Sequence, residues 1–388
     1  MAHITRFRVE GLAGRTAPIE RELDRHVNVF FGLNGSGKTS LLRILDSGMS
    51  GDASTLLNVP FRSAEVAVYS KQFDTTFTRR IDKEKLLASP PASRDLMIDV
   101  LLDESGRLVS TQRGGAAWDV EPHLPPNSQG KWRHVYLPIS RMYARATRPA
   151  GWQFARPEDS ALSPEEQLNA DFARDLLGIW REYFATVLNN VREAQAEGLA
   201  NILQAVLSPK DNTSDVSVDP ELAFRRVRSF LRRQGSPQLM PAEKSFVRRL
   251  EKDERLRSIV ADINQVEERI TQAMASRTRL QDLISKLFQG KRVEFGEATI
   301  TVQTEDNSPI DLGLLSSGEK QVLRLLVEAL RAGDNTLLID EPELSMHVDW
   351  QQDLIASMRR LNPDAQVIVA THSPEVMAEV NDRFIFRV

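Results

Sequence analysis

The chain opens on alternating apolar and polar positions, Ile4-Thr5-Arg6-Phe7-Arg8-Val9, the period-two pattern of a half-buried strand. Past Gly11 and Gly14 comes a second apolar run, Val27-Asn28-Val29-Phe30-Phe31, followed at once by glycines. From Ser40 onward, Leu41, Leu42, Ile44 and Leu45 fall at helical spacing, so the order is strand, glycine-rich loop, helix. Between Glu65 and Val120 short strand-like pieces alternate with charged turns, Pro90-Pro91 breaks the stretch, and the pattern leaves the strand order open. A Pro-, Gly- and Asn-containing segment, 121–130, then leads to a strand at Val135-Tyr136-Leu137 that Pro138 ends.

The period lengthens in the middle of the chain. From Pro164 to about Leu207, Leu168, Phe172, Leu176, Trp180, Val187 and Val191 recur mostly at spacings of three and four, with Ser163 and Pro164 as cap and first turn. This predicts a long amphipathic helix, followed by a polar loop over 208–220, an arginine-rich helix over 222–234 and a third helical run over 242–289. In that run Leu256, Ile259, Ile263, Val266, Ile270, Ala273, Leu280, Ile284 and Leu287 alternate by three and four, interrupted where Arg277 takes an apolar place. Such a seam predicts a coiled-coil-like hairpin or bundle arm of about 45 Å at ~1.5 Å per residue. Two shorter helices packed on their own domain would cover the same stripe.

Past residue 290 the alternation returns. Strands are predicted at Arg292–Phe295 and Thr299–Val302, a helix over Ser317–Arg331, a buried strand over Asn335–Ile339 and a helix over Val348–Leu361. Gln366-Val367-Ile368-Val369-Ala370 is the run of a parallel strand covered on both faces.

Composition narrows the class. The 388 residues are 41% hydrophobic and 27% charged, which excludes wholly disordered and fibrous chains. A net charge of -4 argues against a generally basic nucleic-acid binder, though not against a local basic patch. The absence of cysteine excludes disulfide scaffolds and thiolate metal sites and suits a cytoplasmic location. The first twenty residues hold no secretory signal, and no window approaches the ~18 apolar residues of a membrane span.

Gly32-Leu33-Asn34-Gly35-Ser36-Gly37-Lys38-Thr39 fits the phosphate-loop pattern and sits between a strand and a helix, as that chemistry requires. The glycines let amides of Asn34, Gly35, Ser36 and Gly37 curl around phosphates, Lys38 reaches the terminal phosphates and the Thr39 hydroxyl ligates magnesium. Thr336-Leu337-Leu338-Ile339-Asp340-Glu341 is an apolar strand ending in two acids, which solvated strand ends also show. Joined to the phosphate loop about 300 residues upstream, Asp340 becomes a metal ligand and Glu341 the general base for an attacking water. Leu315-Ser316-Ser317-Gly318-Glu319 opens a helix 22 to 25 residues before Asp340; Ser316, Ser317 and Gly318 either meet an anion or form an ordinary cap with Ser317 capping. His372 follows an apolar strand, placed to hydrogen-bond a γ-phosphate. The other five histidines show no metal-ligand spacing, and no zinc site is expected.

These four motifs, in this order, resemble the ABC-type ATPase heads of the SMC and OLD-like group. Glu341-Pro342-Glu343-Leu344-Ser345-Met346-His347 is similar to the Glu-Pro-Glu segment of the OLD-like branch, which includes ATPase subunits of anti-phage systems such as Septu, PARIS and retrons. The resemblance covers about 1–140 and 290–388. It implies an α/β fold, a P-loop NTPase sandwich of the ABC-head type, split into halves at 1–142 and 291–388 by a helical, coiled-coil-like insertion at 143–290. It also implies an ATPase using ATP and Mg2+, with Lys38, Glu341 and His372 catalytic, Thr39 and Asp340 holding metal, and a head-to-tail homodimer or higher oligomer in which Ser316 and Gly318 complete the partner's site.

Departures from the family pattern are Ser317 in place of a second signature glycine and Glu319 in place of glutamine. The magnesium-linked glutamine is either Gln72 or absent from the Leu137–Arg141 stretch. Only 16 residues follow His372, so no Toprim nuclease is expected and an effector would be a separate chain. The leading expectation is therefore an ATP-gated sensor and scaffold in anti-phage defence. The alternative is an SMC-like DNA-binding clamp in repair or recombination, for which Arg225, Arg226, Arg228, Arg232 and Arg233 offer a basic cluster that is otherwise a solvated helix face. A transporter subunit is disfavoured because so long a helical insertion has no place in it.

Overall fold

The structure, a computed structural model, describes residues 2–88, 99–102, 108–111, 118–123, 132–138, 163–207, 219–233, 235 and 237–388. It opens with β1 (Ala2–Glu10), β2 (Ile19–Glu22), β3 (Val27–Phe31) and α1 (Lys38–Ser50), then β4 (Ser63–Ser70), β5 (Thr75–Asp82) and the short α2 (Lys83–Ala88). The strands β6 (Asp99–Leu102), β7 (Leu108–Thr111), β8 (Asp119–Glu121) and β9 (His134–Leu137) follow, and then the helices α3 (Pro164–Leu207), α4 (Pro220–Arg233), α5 (Glu243–Lys252) and α6 (Glu254–Leu287). The chain returns through β10 (Lys291–Phe295), β11 (Ile300–Thr304), β12 (Pro309–Ile310), α7 (Ser317–Ala332), β13 (Thr336–Asp340), α8 (Val348–Leu361), β14 (Gln366–Thr371) and β15 (Ile385–Arg387).

Two compact units result, one of 1–179, 283–293 and 301–388, the other of 180–282 with 294–300. Residues 164–179 and 283–290, expected within the insertion, thus belong to the first unit, while 143–162 lie outside the described residues.

In the first unit one sheet is antiparallel, β2-β1-β4-β5-β8, and another parallel, β15-β3-β14-β13-β9. Helix α1 packs against both. Its Leu41, Leu42, Ile44 and Leu45 share one core with Phe7 of β1, Val66 of β4, Leu338 of β13 and Ile368 of β14. This is the α/β class with a helical insertion read from the sequence. Gln366, fully buried, ties the two sheets: its carbonyl oxygen accepts Ile4 N (2.9 Å), and its amide donates to the Ile4 (2.7 Å) and Asp24 (2.9 Å) carbonyls. It thereby pairs backbone groups next to the β1 register shift at Ile4/Arg6, which would otherwise be buried unmet.

The parallel register sets Asp340 beside Ala370 and Thr371 beside Phe31, so the loops leaving β13, β14 and β3 emerge together at the carboxyl edge. That edge is where open α/β sheets bind ligands. The unordered stretch of the sequence contributes β4, β5 and β8 to the antiparallel sheet.

The second unit is helical. Close pairs Gly198 with Val266, Glu197 with Arg269 and Phe184 with Arg277 have nearly constant residue sums, so α3 and α6 run antiparallel. Helices α4 and α5 pack on α6 through Ala223, Val227, Phe230, Phe246 and Leu250 against Val260, Ile263 and Val266. The expected single run over 242–289 is broken: Asp253 is extended (φ -111°, ψ 104°) and its carboxylate accepts Leu256 N (3.1 Å), capping α6. Arg277 interrupts the apolar seam because its guanidinium donates to the Phe295 carbonyl (Nε 2.9 Å) and lies over the Phe184 ring. Trp180, fully buried, donates to the Gly296 carbonyl at 3.0 Å and stacks on Phe184. Among the described residues no helix is long and apolar enough to cross a membrane.

Helices α3 and α6 approach tightly at Gly198. A Cβ at Gly198 would lie 2.0 Å from Val266 Cγ2, so Gly198→Ala forces α3 and α6 apart. Because alanine otherwise favours a helix by ~1 kcal/mol, a net loss of about 1–3 kcal/mol in urea unfolding is expected. A stabilised variant would contradict this packing.

Candidate functional site

The loop after β3 takes its shape from its glycines. A Cβ on Gly32 would meet the Val388 carbonyl at 2.4 Å, and Gly37 combines a φ of 103° with a Cβ position 3.2 Å from Leu12 and Ala13. Helix α1 starts at Lys38 with Gly37 as its cap and no side chain over its first amides. The Ser36 hydroxyl beside it is buried and accepts or donates no hydrogen bond. Free amides, a dipole and an unmatched hydroxyl are the donor set an anion satisfies.

In front of this helix end lies a cavity of about 480 Å³. Asn34, Gly35, Gly37, Lys38 and Thr39 line it on one side, Glu341, Leu344 and His372 on another, and Ala13 and Pro60 at its margin. Lys38 is 4% exposed; its Nζ donates to the carbonyls of Gly32 (2.8 Å) and Leu33 (3.2 Å) and lies 3.3 Å from Glu341 Oε1.

Glu341 begins the turn after β13 with a left-handed backbone, φ 51°, and its N–H donates to Ala370 O at 2.8 Å, carrying the ladder one residue past the strand. The other Glu341 oxygen contacts His372 Nδ1, which lies 3.0 Å from Glu343 as well. Asp340 is buried, and neither of its oxygens accepts a hydrogen bond of ordinary geometry. Burial pushes its pKa up to about 6, opposed by the nearby Thr39 hydroxyl and reinforced by the Glu341 charge. Unmatched carboxylate oxygens beside a hydroxyl fit a hard divalent cation, with Thr39 and Asp340 as the residues to hold it.

Lys38, Thr39, Glu341 and His372 are thus brought to one cavity; Asp340 does not line it but is buried beside Thr39, which does. Ser316, Ser317 and Gly318 are not: none lines it, and Ser316 and Ser317 are exposed. The cap of α7 is Ser316 rather than Ser317, because the Ser316 oxygen accepts Glu319 N (3.3 Å) while Glu319 accepts Ser316 N (2.8 Å). Gly318 is glycine because a Cβ would meet the Ser345 carbonyl at 2.6 Å. Gln72 is exposed in the β4–β5 turn and does not line the cavity; residues 139–141 of the other glutamine-loop candidate lie outside the described residues.

Two groups carried no role in the sequence. Lys291 donates to both Glu319 oxygens at 2.8 Å, which explains how an acid is tolerated at that position. Burial raises the Glu319 pKa, but Lys291 and the Ser316 amide outweigh it and hold the carboxyl below its ordinary value. Glu343 is 5% exposed, and Glu341, Glu343 and His372 each offer a ligand atom within 4.8 Å of the others. In the sequence the only sign of this role is the spacing of Glu343 two residues after Glu341.

Residues 198–378 match the family described as "AAA domain, putative AbiEii toxin, Type IV TA system". The chain is similar to the Retron Ec83 probable ATPase of Escherichia coli, 30% identical over 95 residues, 21% of this chain and 18% of that protein. To the Retron Vc95 probable ATPase of Vibrio cholerae it is 28% identical over 129 residues, 30% of this chain and 25% of the relative. A DNA double-strand break repair Rad50 ATPase of Halobacterium salinarum is 36% identical over 107 residues, 24% of this chain and 12% of the relative. The match therefore spans a quarter or less of each of these relatives' length. A solved Smc head domain with an extended coiled coil, bound to the C-terminal domain of ScpA and derived from Pyrococcus furiosus, aligns over 97% of this chain and 92% of its own at 13% identity and a TM-score of 0.43.

The Lys291 contact is testable. Lys291→Ala leaves a largely buried carboxylate without its cation and is expected to cost about 1–3 kcal/mol in urea unfolding at pH 7, with Glu319→Gln in the same chain restoring most of it. Because the folded Glu319 pKa is lowered, the parent's advantage is present above the ordinary glutamate range and shrinks as pH falls through it. A double variant no better than Lys291→Ala would contradict the pairing.

Proposed function

We propose that the chain binds ATP with magnesium and hydrolyses it to ADP and phosphate. The observation that carries this reading is the meeting of Lys38, Thr39, Glu341 and His372 in one cavity at an uncapped helix end, with the unmatched Asp340 behind Thr39. The loop amides from Asn34 to Gly37 and the Lys38 ammonium hold the phosphates. A magnesium ion held by Thr39 and Asp340 would draw charge from the phosphate oxygens. Glu341 takes the proton of the attacking water, and His372 donates to the γ-phosphate. Lys38 lies 3.3 Å from Glu341 Oε1; once Lys38 turns to phosphate, that oxygen is open to the attacking water.

Ser316, Ser317 and Gly318 act in trans in this reading, closing the site of a second copy in a head-to-tail homodimer, which accords with their distance from the cavity of their own chain. The assembly works in the cytoplasm, away from membranes, as an ATP-gated sensor and scaffold for a separately encoded effector in anti-phage defence. Similarity to two retron ATPases supports this role. A second reading, a DNA-binding clamp for repair, is favoured by the likeness to the Rad50 ATPase and by the exposed Arg225, Arg228 and Arg232, which fall on one face of α4. DNA affinity that falls with salt and is lost on charge reversal of those three arginines would move the assignment to the clamp.

Glu341→Gln should keep ATP affinity within a few fold, lower turnover by ~10²–10⁴ and hold the ATP-bound dimer long enough to sediment, whereas Lys38→Ala should weaken binding itself. Turnover by Glu341→Gln equal to the parent's would remove Glu341 as general base.

A further inference from the structure

The contact between Glu341 and His372 depends on a third residue. Glu343 sits in the turn after β13, and its Oε1 accepts the Thr371 hydroxyl (2.5 Å), the His372 amide (2.9 Å) and the Ser373 amide (3.2 Å). The same oxygen lies 3.0 Å from His372 Nδ1. Three donors from three consecutive residues therefore face one carboxylate oxygen, with the His372 ring nitrogen beside it, an arrangement that charge strengthens and a neutral acceptor holds less well.

The surroundings make this a rigid junction. Gln351 of α8 donates to the Met346 carbonyl (3.0 Å) and the Glu343 carbonyl (3.4 Å), and its side-chain oxygen lies 2.8 Å from Ser373 Oγ. Gln321 of α7 donates to the Pro342 carbonyl at 2.6 Å. The turn carrying Glu341 is held in shape by left-handed residues at both ends, Glu341 (φ 51°) and Ser345 (φ 64°). Neither β13 nor β14 by itself orients the His372 ring, which is 42% exposed at the strand exit. Glu343 is the residue of the first loop that binds the His372 backbone, beside the Glu341–His372 contact and the Gln351 bridge.

We propose that Glu343 is a positioning residue for hydrolysis, whose carboxylate fixes the Thr371–Ser373 backbone so that His372 is held against Glu341. Glu343 does not touch the phosphates or the attacking water. It acts through His372, and it rests on the ATPase reading above. Displacing a reacting group by ~1 Å costs on the order of 10²-fold in rate, so loss of this anchor lowers kcat while the phosphate loop, built on other residues, keeps KM.

The test is Glu343→Gln in the full chain, read in two ways. By NMR of protein labelled at histidine, the His372 ring resonances move from their parent positions while those of the other five histidines stay. In steady-state kinetics kcat falls ~10–10²-fold with KM for ATP within about threefold. Unmoved His372 resonances, or an unchanged kcat in the folded variant, overturn the proposal, as does a fall in kcat matched by an equal rise in KM. Should Glu343→Gln not fold, Thr371→Val removes one of the three donors and is judged by the same two readouts, with a smaller effect in the same direction. If the parent itself turns over no ATP, the function reading fails and the resonances alone decide the role of Glu343.

Discussion

Three carboxylates, on Asp340, Glu341 and Glu343, leave water together at the end of one strand, and compensating them constrains the site end of the fold. Their partners come from α1 and from the loop after β14. Asp340 faces Thr39 of α1, Glu341 has Lys38 of α1 and His372, and Glu343 takes the amides that follow β14. Such compensation is possible only if β3, β14 and β13 are parallel neighbours whose ends lie level, and the register pairing Asp340 with Ala370 and Thr371 with Phe31 achieves that. Burial of these acids thus sets Glu341 between Lys38 and His372, in contact with both.

The helix that carries Ser316 is bound into the same arrangement. Gly318 lets α7 approach the Ser345 carbonyl, Gln321 reaches the Pro342 carbonyl, and Lys291 grips Glu319 from just beyond the end of α6. At the start of α3, Asn169 accepts Lys320 Nζ at 2.7 Å. The roots of both long helices therefore meet the opening turns of α7 within the first unit.

Much of this was legible in the sequence because parallel strands buried on both faces are apolar throughout. The runs at Val27–Phe31 and Gln366–Ala370 mark β3 and β14 almost to the residue, and chemistry placed at their ends could be assigned to one edge. What stayed hidden depends on partners far along the chain. The pairing of β4, β5 and β8 is set by neighbours that local alternation does not name. The stop at Asp253 is a cap made by one short side chain inside a continuous helical pattern, and Arg277 is a cation whose partners, Phe184 and Phe295, are a helix and a strand away. Lys291 with Glu319, and Glu343 with the loop after β14, pair at separations of 28 and 29 residues, where composition and period carry no signal.

The proposed function requires that the amides of the phosphate loop, with Thr39 and Asp340 beside them, bind a metal–nucleotide complex. Isothermal titration of the intact chain with ATP in Mg2+, repeated in EDTA, tests it most directly. The account predicts saturable binding of one ATP per chain that chelation weakens at least tenfold, a loss of about 1.4 kcal/mol. Absence of binding in Mg2+, or an affinity unchanged by EDTA, would contradict it.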